Sequence, residues 1–233
     1  MISIIIPAYN EEKYIAKTLA HIQKLAYPKD SFEVLVIENA SSDNTLEIAK
    51  KIADEHIKIF HVETKGTSKA KNFGIKQISE KSEWIVFLDA DTILEPTFLK
   101  DLEVYLSQNV QKNSVIGTTS VKPLENKDWY AVLWMKVYDF GHKYTKTSFA
   151  IQIMKASLKN KVQFHEGLTL AEDLDLIKEC LAYGDFFYFD TNTVLTSTRR
   201  FEKIGWVTLF FKWNYDAFLW RLRKIKPDYP VVR

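Results

Sequence analysis

The sequence predicts an α/β protein with a mostly parallel sheet flanked by helices. Three observations carry that expectation. The first half alternates short apolar runs with stretches of helical periodicity, the pattern of strand–helix–strand units. The runs are unbroken and rich in Ile and Val, as in strands covered on both faces. Each run then gives way to a polar segment: AYNEE, ENASSDNT, KGTSKAKN and DADT.

The elements follow in order. Ile2 to Ile6 is a β-branched run stopped by Pro7, and Glu11 to Lys24 carries Ile15, Leu19 and Ile22 at helical spacing. Val34 to Ile37 is the second strand, after which Ser41, Ser42 and Asp43 offer N-caps to a helix over about 44–54. Ile57 to Val62 is the third strand, followed by a helix over about 69–79, and Trp84 to Leu88 is the fourth. Ligands of such sheets bind beyond the carboxyl ends of the strands. The four polar segments converge on that edge, which is the predicted site. In the second half, Val115 to Val121, Ala150 to Met154, Phe186 to Phe189 and Thr193 to Thr196 read as strands. Trp129 to Tyr144 and Ala171 to Tyr183 read as helices, the latter with Gly184 as its C-cap.

Composition bounds the function. Of 233 residues, 46% are hydrophobic and 27% charged, too apolar for disorder and enough for one sizeable core. A net charge of +2 gives no phosphate footprint for nucleic acid. The single Cys180 excludes an internal disulfide framework and a cysteine-based zinc site, and suits a cytoplasmic setting. The N-terminal segment has no basic stretch ahead of its short apolar run, so neither a signal peptide nor a membrane span is expected.

Several clusters could carry chemistry. Asp89-Ala90-Asp91 follows the apolar run WIVFL. Two carboxylates one residue apart at a strand tip can hold a hard divalent cation that bridges a diphosphate. The same spacing occurs in solvated loops, and its place after a buried strand is what favours a site. Lys65, Lys69 and Lys71 surround a Gly66-Thr67 turn and a helix start, where free N–H groups favour an anion; a solvated basic face would use the same residues. Neither a Walker loop nor a G-x-G-x-x-G occurs, which argues against a dinucleotide-dependent dehydrogenase. Glu172-Asp173-Leu174-Asp175 opens a helix, where carboxylates either stabilise the first turn or serve as a general base. Arg199-Arg200 is either a surface pair or a phosphate clamp. The five histidines show no metal-ligand spacing.

Taken in order, these segments resemble glycosyltransferase family 2 on a GT-A fold. SIIIPAYNEEKYIAKTL is similar to its opening strand, loop and helix, and ENASSDNT stands where the family has Asp-Asp-Gly-Ser-Ser-Asp-x-Thr. KGTSKAKNFG is similar to its G-x-x-x-A-R-N-x-G loop, FLDADT to its D-x-D, FHEGLTLAEDLDL to F-D-E…E-D-x-D-L, and STRRF to its closing basic motif. Glu38-Asn39 replaces Asp-Asp, Lys71 replaces Arg, and His165 replaces Asp.

The resemblance implies a metal-dependent, inverting transfer of sugar from a nucleotide-diphosphate sugar to an acceptor hydroxyl or phosphate. It implies that Pro7, Ala8, Tyr9, Glu11, Glu38 and Asn39 cradle the nucleoside, with Gly66, Lys69, Lys71 and Ala90 also on the donor. Asp91 would hold Mg²⁺ or Mn²⁺ and Asp89 the ribose or the metal, Arg199 and Arg200 would neutralise the leaving diphosphate, and Asp173 would be the base beside Glu172. His165, Glu166 and Trp134 are expected on the acceptor side, with a glycan or lipid-linked acceptor. Two other classes remain in view. A sugar nucleotidyltransferase would open with a Gly-rich, Arg-containing loop, which PAYNEE does not resemble; a non-catalytic nucleotide-sugar-binding subunit would have no use for both Asp91 and Asp173.

One catalytic domain is expected over 1–203, with the donor half at 1–92 and the acceptor half at 93–203, and a helical extension over 204–233. That tail mixes bulky aromatics with a late basic cluster from Arg221 to Lys226. It either packs over the acceptor side or lies peripherally on anionic lipid at the inner face of the membrane.

Overall fold

The computed structural model describes residues 1–108, 113–167 and 172–221. In chain order the strands and α-helices are β1 (Ile2–Ala8), α1 (Ile15–Gln23), β2 (Phe32–Glu38), α2 (Thr45–Ile52), β3 (Ile57–His61), α3 (Thr67–Gln77) and β4 (Trp84–Leu88). Then come β5 (Thr92–Leu94), α4 (Phe98–Gln108), β6 (Ser114–Thr119), β7 (Lys122–Pro123), α5 (Trp129–Thr145) and β8 (Ile151–Lys155). The chain continues through α6 (Glu172–Cys180), β9 (Asp185–Phe189), β10 (Val194–Thr196), α7 (Arg199–Ile204) and α8 (Trp206–Arg221).

Seven strands form one sheet in the order β3-β2-β1-β4-β8-β6-β9, and β5-β10-β7 form a smaller one. The pairs β3/β2, β2/β1, β1/β4 and β6/β9 are parallel, and only β8 runs against its neighbours β4 and β6. The mostly parallel sheet is therefore as the sequence predicts. Successive strand residues face opposite sides. Ile4, Ile6, Val34, Val36, Val86 and Leu88 enter one core with α1 and α4, while Ile5, Leu35, Ile37, Ile85 and Phe87 enter the other with α3 and α6. Continuous apolar runs are what a sheet buried on both faces requires.

This order reverses at β1, whose neighbours are β2 on one side and β4 on the other. A crevice opens at such a switch point, at the carboxyl ends of the strands. Because β8 is antiparallel to β4, with Ile151 opposite Leu88, its first residues lie at that same edge. The small sheet completes it: Thr196 pairs with Thr92, and their hydroxyls meet at 2.8 Å.

Three features differ from the sequence reading. Helix α1 begins at Ile15 rather than Glu11, because Glu11 is held in the loop by its N–H bond to Thr45 Oγ1 at 2.7 Å. The strands β5 and β7 are too short to leave a periodic pattern, whereas α4 carries Phe98, Leu99 and Leu102 at helical spacing. Gly184 is not a helix cap. Helix α6 ends four residues earlier, at Cys180, and the glycines with positive φ are Gly66 and Gly205. Glycine stands at 184 because the Asn113 carbonyl oxygen would lie 2.1 Å from any Cβ there.

A backbone oxygen cannot swing aside as a side chain can. Gly184→Ala is expected to destabilise the fold by about 1–3 kcal/mol, the usual effect of overpacking, measured as a lower denaturant midpoint with unchanged slope.

Candidate active site

The site is built where β1, β2, β3 and β4 end. Ala8, Glu38 and His61 lie in register across the first three strands. The loops that follow are tied together by backbone donors and short polar side chains. Asn10 N–H donates to Ser41 Oγ at 2.9 Å, and Ser42 N–H donates back to Asn10 Oδ1 at 2.7 Å. Asp43 accepts from Thr45 N–H at 3.0 Å and Glu12 N–H at 3.2 Å. Burial opposes the Asp43 charge, but these hydrogen bonds prevail and hold its carboxyl below the usual range.

Glu38 and Asn39 are buried and serve the same scaffold. Glu38 accepts from Ser41 N–H and contacts His61 Nδ1. With its amide oriented to satisfy both ends, Asn39 donates to the Ala8 carbonyl and accepts from Gly66 N–H at 3.2 Å. Their side chains thus join the loops after β1 and β2 to the start of α3. Pro7 and Ala8 close β1, and Tyr9 lies beneath Lys65, whose Nζ is 5.2 Å from the ring centre. Ala90 is buried and its carbonyl accepts from Thr18 Oγ1 at 2.7 Å.

Helix α3 brings cation and glycine together. Gly66 has φ of 135°, available to glycine, and its peptide leads into the first turn. Lys69 is half-buried and Lys71 fully so. Lys71 Nζ lies 3.6 Å from Glu172 Oε1 and 4.8 Å from the Phe164 ring centre. Burial alone would lower its pKa, yet the charges of Glu172, Asp173 and Asp89 outweigh that and raise it. Gly74 lets the helix sit tightly on β1, since a Cβ would meet Ile5 Cγ2 at 2.6 Å.

The carboxylates occupy the centre. Burial, with Asp91 and Asp173 nearby, pushes Asp89 up to about 7 against the pull of Lys71 and Arg200. Asp91 is raised by burial although Arg199 and Arg200 oppose it. Glu172 is raised to about 8 by burial and the neighbouring Asp173, with Lys71 opposing. Arg199 forms a two-pronged pair with Glu11 at 2.8 and 2.6 Å, reaches Asp91 Oδ2 at 2.9 Å, and stacks over Tyr14 at 4.6 Å. Its backbone N–H donates to Ser197 Oγ at 3.3 Å, and Ser197 N–H donates to the Asp91 carbonyl at 3.1 Å. Asp89, Asp91, Lys71, Glu172, Asp173, Arg199 and Arg200 are therefore brought into one electrostatic cluster.

The acceptor-side residues are dispersed. Glu166 accepts from Asn72 Nδ2 at 3.3 Å, beside α3. His165 turns to Asp175 and Glu179, at 3.1 and 2.8 Å. These three offer ligand atoms within 4.8 Å of one another, a grouping made by folding that linear spacing does not reveal. Trp134 lies in the seam between α5 and α8, 5.6 Å from Phe210.

Two residues escaped the sequence reading. Asn72 donates to the Phe164 carbonyl at 2.8 Å and accepts Phe164 N–H at 2.9 Å, locking α3 to the segment before α6. Its place in the KAKNFG stretch was the available signal. His142 is held by Thr147 Oγ1 at 2.6 Å; burial pushes its imidazole down to about 4 against the opposing charge of Asp173. Nothing in its sequence context marks it.

A part-buried acidic pair at a strand tip, opposed by a lysine and two arginines, thus lies at the switch point of the sheet. The model of glycosyl transferase family 2 matches residues 3–166, and the chain belongs to that family. Over 110 residues it is 34% identical to the poly(ribitol-phosphate) beta-N-acetylglucosaminyltransferase TarS of Staphylococcus aureus, covering 46% of this chain and 19% of that protein. The crystal structure of S. aureus TarS 1-349 in complex with UDP-GlcNAc is similar with a TM-score of 0.69 and 24% identity, over 85% of this chain and 58% of that one. The mannosyltransferase PcManGT from Pyrobaculum calidifontis in complex with GDP-Man and Mn²⁺ gives a TM-score of 0.59 at 20% identity, over 84% and 56% of the two chains. This chain thus spans less than two thirds of these relatives, and the fold they share with it is the GT-A arrangement that the resemblance implied.

One local strain follows from the same comparison of motifs. Ala40 has φ of 61°, a left-handed backbone, at the place where the family segment has Gly. Such a conformation costs a residue with a Cβ roughly 1–2 kcal/mol. Ala40→Gly is expected to recover about 1 kcal/mol of stability after the added chain entropy of glycine, seen as a higher melting temperature.

Proposed function

We propose that the chain is a metal-dependent glycosyltransferase that moves a sugar from a nucleoside-diphosphate sugar, UDP- or GDP-linked, to an acceptor hydroxyl with inversion. The observation that carries this reading is the cluster of Asp89, Asp91, Glu172 and Asp173 opposed by Lys71, Arg199 and Arg200. The relatives named for UDP-GlcNAc and for GDP-Man with Mn²⁺ support the donor class. A glycan or lipid-linked acceptor is in keeping with the polymer named in TarS.

The chemistry divides between two faces of the reacting carbon. Asp173 accepts the proton of the acceptor hydroxyl as its oxygen attacks the anomeric carbon. The bond from that carbon to the diphosphate oxygen breaks, the electron pair leaves with the diphosphate, and attack from the opposite side inverts the centre. Arg199 and Arg200 offset the growing charge on the leaving group. Lys71, paired with Glu172, holds the helix opening that presents Asp173.

The donor set suits a hard cation. Asp89 and Asp91 offer carboxylate oxygens one residue apart, and burial raises both. These two residues would hold Mg²⁺ or Mn²⁺, which supplies positive charge to the diphosphate when bound. The one cysteine, buried and free, suits the cytoplasm, where thiols stay reduced.

Asp173→Asn is expected to lower transfer by about 10²–10⁴-fold while leaving Mn²⁺-dependent binding of the nucleoside diphosphate nearly unchanged. Asp91→Ala is expected to weaken that binding. A thermal-shift panel of UDP, GDP, CMP and dTDP, with and without Mn²⁺, reads the second effect and identifies the nucleotide. Equal losses of binding in both variants would remove the division of roles.

A pH dependence follows with a definite sign. In the metal-free chain Asp89 stands near 7, so it holds its proton below that value. Only the ionised carboxylate suits a cation, and cation binding releases its proton. Mn²⁺ affinity is therefore expected to rise as pH increases through about 7, with proton release detectable by calorimetry in buffers of different ionisation enthalpy.

A further inference from the structure

Among the described residues, the large apolar side chains left exposed gather on two neighbouring helices, with only Val104 and Tyr183 elsewhere. On α5, Trp129, Leu133, Val137, Phe140 and Tyr144 recur at steps of four and three, forming one stripe along the helix. Their exposure runs from 39% at Val137 to 78% at Trp129. On α8, Val207, Phe211 and Tyr215 step by four, and each is more than half exposed, from 53% to 66%.

The two stripes belong to one surface. Tyr130, Trp134 and Tyr138 of α5 meet Trp206, Phe210 and Trp213 of α8 in ascending order, with ring centres 6.0, 5.6 and 5.4 Å apart. The helices therefore run side by side in parallel. Counted at about 100° per residue, each stripe is rotated away from this seam, in opposite senses on the two helices, so both look to the same side. An apolar surface of this kind on an otherwise polar exterior marks an interaction site.

Its border points to the occupant. Lys136 and Lys143 are exposed and flank the α5 stripe. The only acid in α5 is Asp139, which is turned inward to accept from Val121 N–H at 3.1 Å. On α8 the charged residue among the described side chains is Lys212, and the basic cluster at 221–226 lies outside them. Trp and Tyr combine an apolar body with a polar tip, the composition favoured at lipid headgroup depth. A second copy of this chain would bring the same positive border against itself, whereas anionic lipid complements it. No described helix is long and apolar enough to cross a bilayer.

We propose that the α5–α8 face seats the protein peripherally on a bilayer surface containing anionic lipid, with the aromatic stripes at headgroup level and the lysines over the lipid charge. This goes beyond the donor-site reading and does not depend on it. The surface includes α5, so it is broader than a tail anchor.

Flotation of the full chain with vesicles of phosphatidylcholine, alone or mixed with phosphatidylglycerol, tests this. The protein is expected to float with the mixed vesicles, and less so at high salt. The triple variant Trp129→Ser, Phe140→Ser, Phe211→Ser is expected to bind them at least about tenfold less, since interfacial binding scales with buried apolar area. Its melting temperature and Mn²⁺-dependent nucleotide binding should stay at wild-type values, which separates this surface from the donor site. Lys136→Glu with Lys143→Glu should weaken binding to the mixed vesicles specifically. Absence of wild-type flotation with mixed vesicles, or undiminished flotation of both variants, overturns the proposal. A wild-type dimer in light scattering that the triple variant converts to monomer also overturns it, by assigning the face to a second copy.

Discussion

Arg199 is the interaction on which the arrangement of the site depends. It joins residues 188 positions apart by pairing with Glu11, and also reaches Asp91 and stacks on Tyr14. Removing one partner from a half-buried charge pair leaves the other uncompensated, which is far more costly than the pair is stabilising. The loop after β1, the strand tip after β4 and the start of α7 are therefore fixed with respect to one another. The β5/β10 pairing brings Arg199 within reach, so the small sheet has a structural role that its size understates.

The second half of the cluster hangs from Lys71. Its ammonium is buried and is held charged by Glu172, Asp173 and Asp89. Asn72, the next residue, clamps the Phe164 backbone from both sides. One turn of α3 thus positions the loop that precedes it and also the approach to α6. This coupling is a reason for the two halves of the chain to share a single sheet, with the antiparallel β8 carrying the chain back to the edge where β4 ends.

Part-buried charge and exposed apolar surface lie in different places on this chain. Carboxylates lie at the strand ends, where desolvation raises their pKa. Aromatics lie on the outer face of α5 and α8, where nothing within the described chain covers them. Trp206, Phe210 and Trp213 are the half-buried counterparts that attach α8 to the domain. The C-terminal helix therefore does both things that its composition allows: one face packs and the other is presented.

The sequence by itself determined the parallel half of the sheet, because strands covered on both faces must be continuously apolar and their periodicity differs from that of the helices between them. It also determined the kinds of residue at the strand ends: Asp89-Ala90-Asp91 after WIVFL and the basic stretch around Gly66. Tertiary structure decided what those residues touch. Glu38 and Asn39 are drawn into the loop scaffold, and His165 turns to Asp175 and Glu179. Asn72 gains its place from Phe164, 92 positions away and beyond any local pattern. Gly184 shows the difference most simply. The residue type suggests a helix end, but the reason for it is a carbonyl from Asn113, brought alongside by folding. Periodicity reports which side of an element is buried; only packing decides which neighbour is there.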